Sequence, residues 1–171
     1  MQPVDLMDAG HDSNQVEMMA EQVILVDESD QQIGAASKSA CHQFQGSLHR
    51  AFSVIIFDSS GRMLLQKRSK DKITFPSVWA NACCSHPLDV EDERDGFAGS
   101  INAAIRKMEQ ELGVPSDSLA VGDFQPLTKM LYMSRMDEEW VEHELDHLII
   151  LQKDVCPNPN PNEIDEIRWF T

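Results

Sequence analysis

A chain of 171 residues, 42% of them hydrophobic, is long enough for one domain around a single buried core. Its 14 Lys+Arg against 29 Asp+Glu leave a formal charge of −15, which works against nucleic acid and anionic membrane surfaces as partners. No stretch reaches the ~18 apolar residues of a membrane span, and the opening "MQPVDLMDAGHDSNQVEMMAEQ" has no Lys, no Arg and no apolar run, so the sequence predicts a cytoplasmic protein whose Cys41, Cys83, Cys84 and Cys156 are free thiols.

In chain order, "NQVEMMAEQ" adds a helical turn to an N-terminal segment, residues 1–20, and the domain proper runs over 21–171. "QVILVDESDQQIGAAS" reads as two short strands around a polar turn, and "AFSVIIFDSSGRMLLQKRS" as a second hairpin turning at Asp58 to Gly61. The acidic run Asp89 to Asp95 reads as a solvated loop. It leads into "GFAGSINAAIRKMEQELGVP", where Ile101, Ala104, Ile105, Met108 and Leu112 recur at helical spacing and Gly113 and Pro115 are stop signals. "FQPLTKMLYMS" and "EEWVEHELDHLIILQKDV" read as strands, "CPNPNPNE" as a turn and "IDEIRWFT" as a last strand. The order β, β, β, β, α, β, β, β predicts an α+β sandwich in which one long helix covers a mixed sheet.

Several polar residues stand where a bland strand or loop would not favour them. Glu142 and Glu144 alternate along a strand and so share a face, with Val141, His143 and Leu145 on the other. Two adjacent carboxylates repel, which calls for a nearby cation or a proton, unless the strand is simply a solvated edge. His42, His49 and His86 are each an ordinary histidine by base rate, and spacing alone does not show that they converge. Together with the two glutamates they would fill five positions of an octahedral site, suited to Mn²⁺ or Mg²⁺ better than to tetrahedral Zn²⁺. Lys38, Arg68, Lys72, Arg106 and Lys107 are unusual in so acidic a chain and would suit a small anion such as a diphosphate, against the plain alternative of a charged surface. Lys107 and Glu111 are also an i, i+4 pair, which a helix uses for a salt bridge as readily as for ligands. Cys83 and Cys84 are adjacent, two and three residues before His86, too close in the chain to bridge each other without strain.

The segments "CHQFQGSLHRAFS", "LLQKRSKDKITFPSVWANACCSHPL", "AAIRKMEQELGVP", "WVEHELD" and "NPNPNEIDEIRWF" resemble the type 1 isopentenyl-diphosphate isomerases, a branch of the Nudix fold, from about Val23 to Thr171. The resemblance implies isomerisation of isopentenyl diphosphate to dimethylallyl diphosphate through a tertiary carbocation, in a monomer acting on a small prenyl diphosphate. It implies a site of Mn²⁺ or Mg²⁺, with Zn²⁺ as an alternative, on His42, His49, His86, Glu142 and Glu144, and a substrate-bound Mg²⁺ on Glu111. Cys84 falls on the reactive cysteine, Glu144 on the family's second acid and Tyr132, the one tyrosine of the chain, on its partner. Diphosphate contacts fall on Lys38, Arg68, Lys72 and Lys107, and Trp79 is a candidate wall for the cation. Glu144 with Tyr132 delivering one proton and a Cys84 thiolate removing the other is one assignment of the two steps; the resemblance implies the pair and leaves open which member protonates.

Two positions depart from the family pattern: Ser77 stands where Gly is usual and Lys107 where Arg is. The family also continues past "RWFT" into helical sequence carrying a tryptophan that faces the cation; without such a segment the expectation is metal binding with slow turnover, or a low-activity binding form. A Nudix diphosphate hydrolase is the other alternative, disfavoured because Ala98, Lys107 and Gln110 occupy glutamate positions of the Nudix motif and leave only Glu111.

Overall fold

The computed structural model describes residues 10–171. Its elements in chain order are α1 (Ser13–Met19), β1 (Gln22–Val26), β2 (Gln32–Ser37), α2 (Lys38–His42), β3 (His49–Phe57), β4 (Met63–Arg68), β5 (Trp79–Asn81), β6 (Cys83–Ser85), α3 (Gly96–Leu112), β7 (Phe124–Arg135), β8 (Val141–Gln152) and β9 (Ile164–Phe170). The expected architecture is present, a mixed sheet with one long helix against it. Its sheet has nine strands instead of seven, because Trp79–Asn81 and Cys83–Ser85 form two three-residue strands that no periodicity announces. The helical turn expected near the N-terminus is α1, capped by the Asp12 carboxylate at the Asn14 and Gln15 amides; the rest of the 1–20 segment lies outside the described residues. None of the described helices is long and apolar enough to cross a membrane.

Strand β3 organises the sheet. Along one edge it pairs in parallel with β8 from His49↔Glu144 to Phe57↔Gln152. On its other edge three antiparallel partners take turns: β1 at Leu25↔His49, β6 at Phe52↔Ser85 through Val54↔Cys83, and β4 at Ile56↔Leu64. Beyond these, β7 pairs with β8, and β9 with β4. Alternation then sorts the side chains. Phe52, Val54 and Ile56 of β3 and Ile149 and Leu151 of β8 face the core, where Ile101, Ala104, Met108 and Leu112 of α3 cover them. Ile105, the fifth residue of the expected helix face, is only partly buried at its margin.

The helix ends are fixed by backbone chemistry. Gly99 lies so close to the turn Glu91–Glu93 that a Cβ there would meet the Glu93 carbonyl oxygen at 2.2 Å. At the other end Gly113 takes the left-handed conformation (φ 64°), which only glycine adopts without strain, and its N–H donates to the Glu109 carbonyl. The "NPNPN" loop completes this end: the Asn158 and Asn160 amides donate to the Leu112 and Glu111 carbonyls. The acidic run is not wholly solvated. Glu93 is buried and accepts from the Arg106 guanidinium at 2.7 and 2.9 Å and from the Leu88 amide at 2.7 Å, which takes Arg106 out of the set of free cations.

Between β4 and β5 the chain turns tightly, with φ of 48° at Phe75 and 62° at Ser77. The left-handed region costs a non-glycine residue about 1–2 kcal/mol, part of which a glycine would return as unfolded-state entropy. Ser77→Gly should therefore stabilise the protein by about 0.5–1 kcal/mol, raising the melting temperature by ~2–3 °C in calorimetry; a lower melting temperature would mean that the serine is not strained.

Candidate active site

The face of β8 opposite the core presents Glu142, Glu144, Asp146 and Leu148 to one cavity of about 600 Å³. Register brings the neighbours. His49 opens β3 directly beside Glu144, and Tyr132 of β7 lies across from Glu144 on the other edge. Ser53 of β3 faces Cys84 of β6, so Cys84 lines the cavity, whereas Cys83, opposite Val54, is fully buried in the core. The short helix α2, whose Ser37 cap accepts from the Ala40 amide, ends on His42, and His86 follows β6 directly. Four distant segments thus converge.

Ligand atoms of His42, His49, His86 and Glu144 all lie within 4.8 Å of one another, and all four residues are buried. The imidazole centroids are 4.7 to 5.0 Å apart. His42 Nδ1 lies 2.8 Å from the Lys38 carbonyl and His49 Nδ1 2.7 Å from that of Ser47. A carbonyl only accepts, so both Nδ1 atoms carry the proton and both Nε2 atoms present lone pairs. Those lone pairs face Glu144 Oε1 at 3.7 and 3.6 Å, acceptor against acceptor, and His49 Nε2 and His86 Nδ1 have no hydrogen-bond partner. A buried knot of acceptors is unfavourable unless a cation sits among them. Burial pushes the His42 and His86 imidazoles down, keeping them neutral; burial would raise the Glu144 carboxyl, but the imidazoles around it, with His86 Nε2 2.8 Å from Oε1, hold it well below the usual range. Neutral imidazoles and an ionised carboxylate are the donor states that a divalent ion requires, so these residues fit one.

Glu142, expected as a fifth ligand, stands just outside this cluster. Its carboxyl is pushed up to about 7 by burial and by Glu144, and it accepts from the Tyr132 hydroxyl at 3.3 Å. The same hydroxyl is 2.5 Å from Glu144 Oε2. Burial and the two carboxylates push the Tyr132 ionisation up, so the phenol keeps its proton. Burial likewise raises the Cys84 thiol, to about 12.

The far end of the cavity is cationic. Lys38, Arg68 and Lys72 line it with Glu111. Lys107 lies against that carboxylate, its Nζ 3.1 Å from Glu111 Oε1, with both side chains buried. Burial, then the Lys72 and Lys107 charges, push the Lys38 ammonium down to about 7, against the smaller opposing effect of Glu21 and Glu163. Arg68 is fixed by the loop it supports, donating to the Phe75 and Thr74 carbonyls at 2.9 and 2.8 Å. Trp79 is 40% exposed and lines the cavity instead of packing in the core; Phe170 meets its ring edge-on and the Arg168 guanidinium lies 5.2 Å from its centre.

Four polar residues at the site escaped the sequence reading. Ser53 and Asp146 line the cavity beside Cys84, Gln66 reaches Glu111 Oε2 at 3.5 Å, and the buried Glu163 carboxylate holds Lys72 and Gln15. Asp146 could have been found, since it continues the alternation Glu142, Glu144 along β8; nothing in the sequence marks the others.

Residues 47–171 match the NUDIX domain. The chain is 46% identical over 172 residues to isopentenyl-diphosphate Delta-isomerase I of Camptotheca acuminata, covering 96% of this chain and 73% of that protein. It is 47% identical over 175 residues to the chloroplastic isopentenyl-diphosphate Delta-isomerase II of Arabidopsis thaliana (98% and 62%), and 42% over 180 residues to an isopentenyl-diphosphate delta-isomerase of Aspergillus fumigatus (95% and 64%). The chain therefore spans between three fifths and three quarters of the length of these relatives. Among solved structures, the DR0079 protein of Deinococcus radiodurans superposes with a TM-score of 0.63 at 21% identity, covering 88% of this chain and 83% of that one. A Nudix hydrolase of Alicyclobacillus acidocaldarius does so at 0.54 and 12% identity, covering 74% and 80%. These two likenesses concern the fold alone.

Proposed function

Starting from a chain that belongs to the NUDIX family and, within it, to the isopentenyl-diphosphate Delta-isomerases, we propose that it converts isopentenyl diphosphate into dimethylallyl diphosphate. The observation that carries this reading is a single cavity lined by a cysteine, by a glutamate hydrogen-bonded to a tyrosine, and at its far end by cations. Isomerisation adds a proton to the terminal alkene carbon and removes another from the neighbouring CH₂, through a tertiary carbocation. Two groups that each exchange one proton are therefore needed, and because the reaction is reversible each acts as acid in one direction and base in the other. We assign one exchange to Cys84 and the other to Glu144 with Tyr132. The Tyr132 O–H, aimed at Glu144 Oε2, keeps a proton on that wall, and Met130 and Leu148 together with Trp79 supply an apolar, aromatic-edged surface that holds water away from the cation.

The ligands proposed for Mn²⁺ or Mg²⁺, with Zn²⁺ as an alternative, are His42, His49, His86 and Glu144, with Glu142 as the fifth candidate. Such an ion supplies fixed positive charge that orients Glu144 and lowers the pKa of groups it touches. Lys38, Arg68 and Lys72 line the cavity and would bind the diphosphate, with Glu111 as the carboxylate that would hold its Mg²⁺; Lys107, the fourth expected contact, is buried behind the wall against Glu111. Lys107 and Glu111 neutralise each other until that charge arrives. The reading includes a monomer working in the cytoplasm on a small prenyl diphosphate, tested by sedimentation equilibrium and by imaging the tagged full chain.

Incubation of the purified chain with isopentenyl diphosphate and Mg²⁺ should release dimethylallyl diphosphate. Free phosphate would instead point to a hydrolase, and recovery of unchanged substrate would overturn the isomerase reading. Independently of turnover, His49→Ala should weaken Mn²⁺ binding, followed by electron paramagnetic resonance, by on the order of 100-fold or more; undiminished affinity would remove His49 from the ligand set.

A further inference from the structure

The chemistry above gives Ser53 and Asp146 nothing to do, yet both are over nine-tenths buried on the cavity wall. Ser53 Oγ is 2.8 Å from Asp146 Oδ2 and 3.3 Å from Cys84 Sγ. A hydroxyl has one hydrogen, and two acceptors lie within its reach, so the Ser53 O–H is placed to donate to Asp146 Oδ2 and to Cys84 Sγ. Donated to Cys84 Sγ, that hydrogen fixes the direction of the sulfur and is one that a thiolate keeps and a thiol does not require. Register explains why Asp146 leans towards Ser53. The residue paired with it across β3 is Ala51, too small to fill the space, and Ser53 is next on the same face.

We propose that Ser53 is a positioning residue for Cys84, setting the direction of its sulfur, and that Asp146 holds Ser53 in place. A serine serving only to satisfy a buried carboxylate would explain the contact with Asp146 but not the register that seats Cys84 on the same oxygen. The catalytic consequence rests on the isomerase reading; the geometric claim about the sulfur does not.

Two measurements separate these layers. The first is steady-state isomerisation, in which Ser53→Ala should lower kcat about tenfold, the worth of one hydrogen bond at a reacting atom, with KM within about twofold. The Ser53→Ala, Asp146→Ala pair should be no slower than Ser53→Ala alone, since Asp146 acts through Ser53. The second is alkylation of Cys84 by iodoacetamide in a Cys156→Ser background, located by fragment-ion mass spectrometry. Ser53→Ala should slow it about tenfold, and Ser53→Thr, which keeps the hydroxyl, should stay within about threefold of the parent. Unchanged kcat and alkylation in Ser53→Ala, equal losses in Thr and Ala, or additive losses in the double variant would each overturn the proposal. A parent chain that releases no dimethylallyl diphosphate would sink the isomerase reading, and the alkylation rates would still decide the role of Ser53.

Discussion

Cys84→Ala should reduce isomerisation by about a thousandfold or more, while Cys83→Ala should retain most of it, although the two residues are neighbours in the chain. The difference comes from strand pairing. In β6 the Cys84 side chain falls on the cavity face beside Ser53, and that of Cys83 falls on the core face beside Val54. No other thiol lines the cavity: Cys41 and Cys83 are buried in the interior and Cys156 is exposed elsewhere. On the proposed reaction, removing the Cys84 sulfur leaves one of the two proton exchanges without a substitute. Removing that of Cys83 leaves a small void, worth about 1 kcal/mol of stability. Circular dichroism and Mn²⁺ binding should be unchanged in Cys84→Ala, so that its loss is one of chemistry. A loss of the same size in Cys83→Ala would reverse the assignment within the pair.

Asp30→Ala should destabilise the protein by about 3–5 kcal/mol, lowering its melting temperature by roughly 10 °C. Asp30, in the turn between β1 and β2, is buried beneath the sheet face opposite the cavity. Its carboxylate accepts from Arg50 Nε and Lys129 Nζ at 2.7 Å and from His147 Nε2 at 2.9 Å. His147 continues through Nδ1 to Ser100 of α3 at 2.8 Å, under the stacked ring of Phe97. The alanine variant leaves the buried Arg50 guanidinium without its counter-charge, which costs far more than the pair contributes over an apolar replacement. The sign of the pH dependence follows. Burial alone would raise the Asp30 carboxyl, but hydrogen bonds from His147, Lys129 and Arg50 outweigh it and hold it well below the ordinary value. A depressed folded pKa gives a contribution that is full above the unfolded value, near 4, and fades as pH falls towards the folded one. Urea unfolding of the parent and of Asp30→Asn should thus differ most above about pH 4 and converge in stronger acid; a gap independent of pH would show that the charge is not what matters.

Long strands and the single helix were readable because alternation and 3.6-residue spacing persist over many residues in "AFSVIIF", "LDHLIIL" and "INAAIRKMEQEL". Helix α2 spans five residues and β5 and β6 three each, too few for any period; β5 and β6 exist because β4 and β3 offer them edges, and α2 starts at its Ser37 cap. At the site, Glu142 and Glu144 were legible as a pair on one face of a strand. The convergence of His42, His49 and His86 was not, since it depends on the parallel β3–β8 ladder, which joins residues 95 apart. The contrast between Cys83 and Cys84 belongs to the same class: pairing decides which faces the cavity. The Asp30 network left no trace at all in the pattern, because a buried turn aspartate and a solvated one look alike in sequence.

Alternation along β3 and β8 puts His49 next to Arg50 and Asp146 next to His147, one of each pair on the cavity side of the sheet beside or near Glu144 and the other in the Asp30 network. A single-residue insertion or deletion in either strand would exchange the two sets wholesale, carrying the clustered imidazole into the structural layer and the guanidinium to the cavity side. Point changes at the chamber remain open to selection, whereas length changes in these strands are barred twice over, once by activity and once by folding. Variation in such a lineage should therefore accumulate as insertions in the turns that join the strands, and only as substitutions within them.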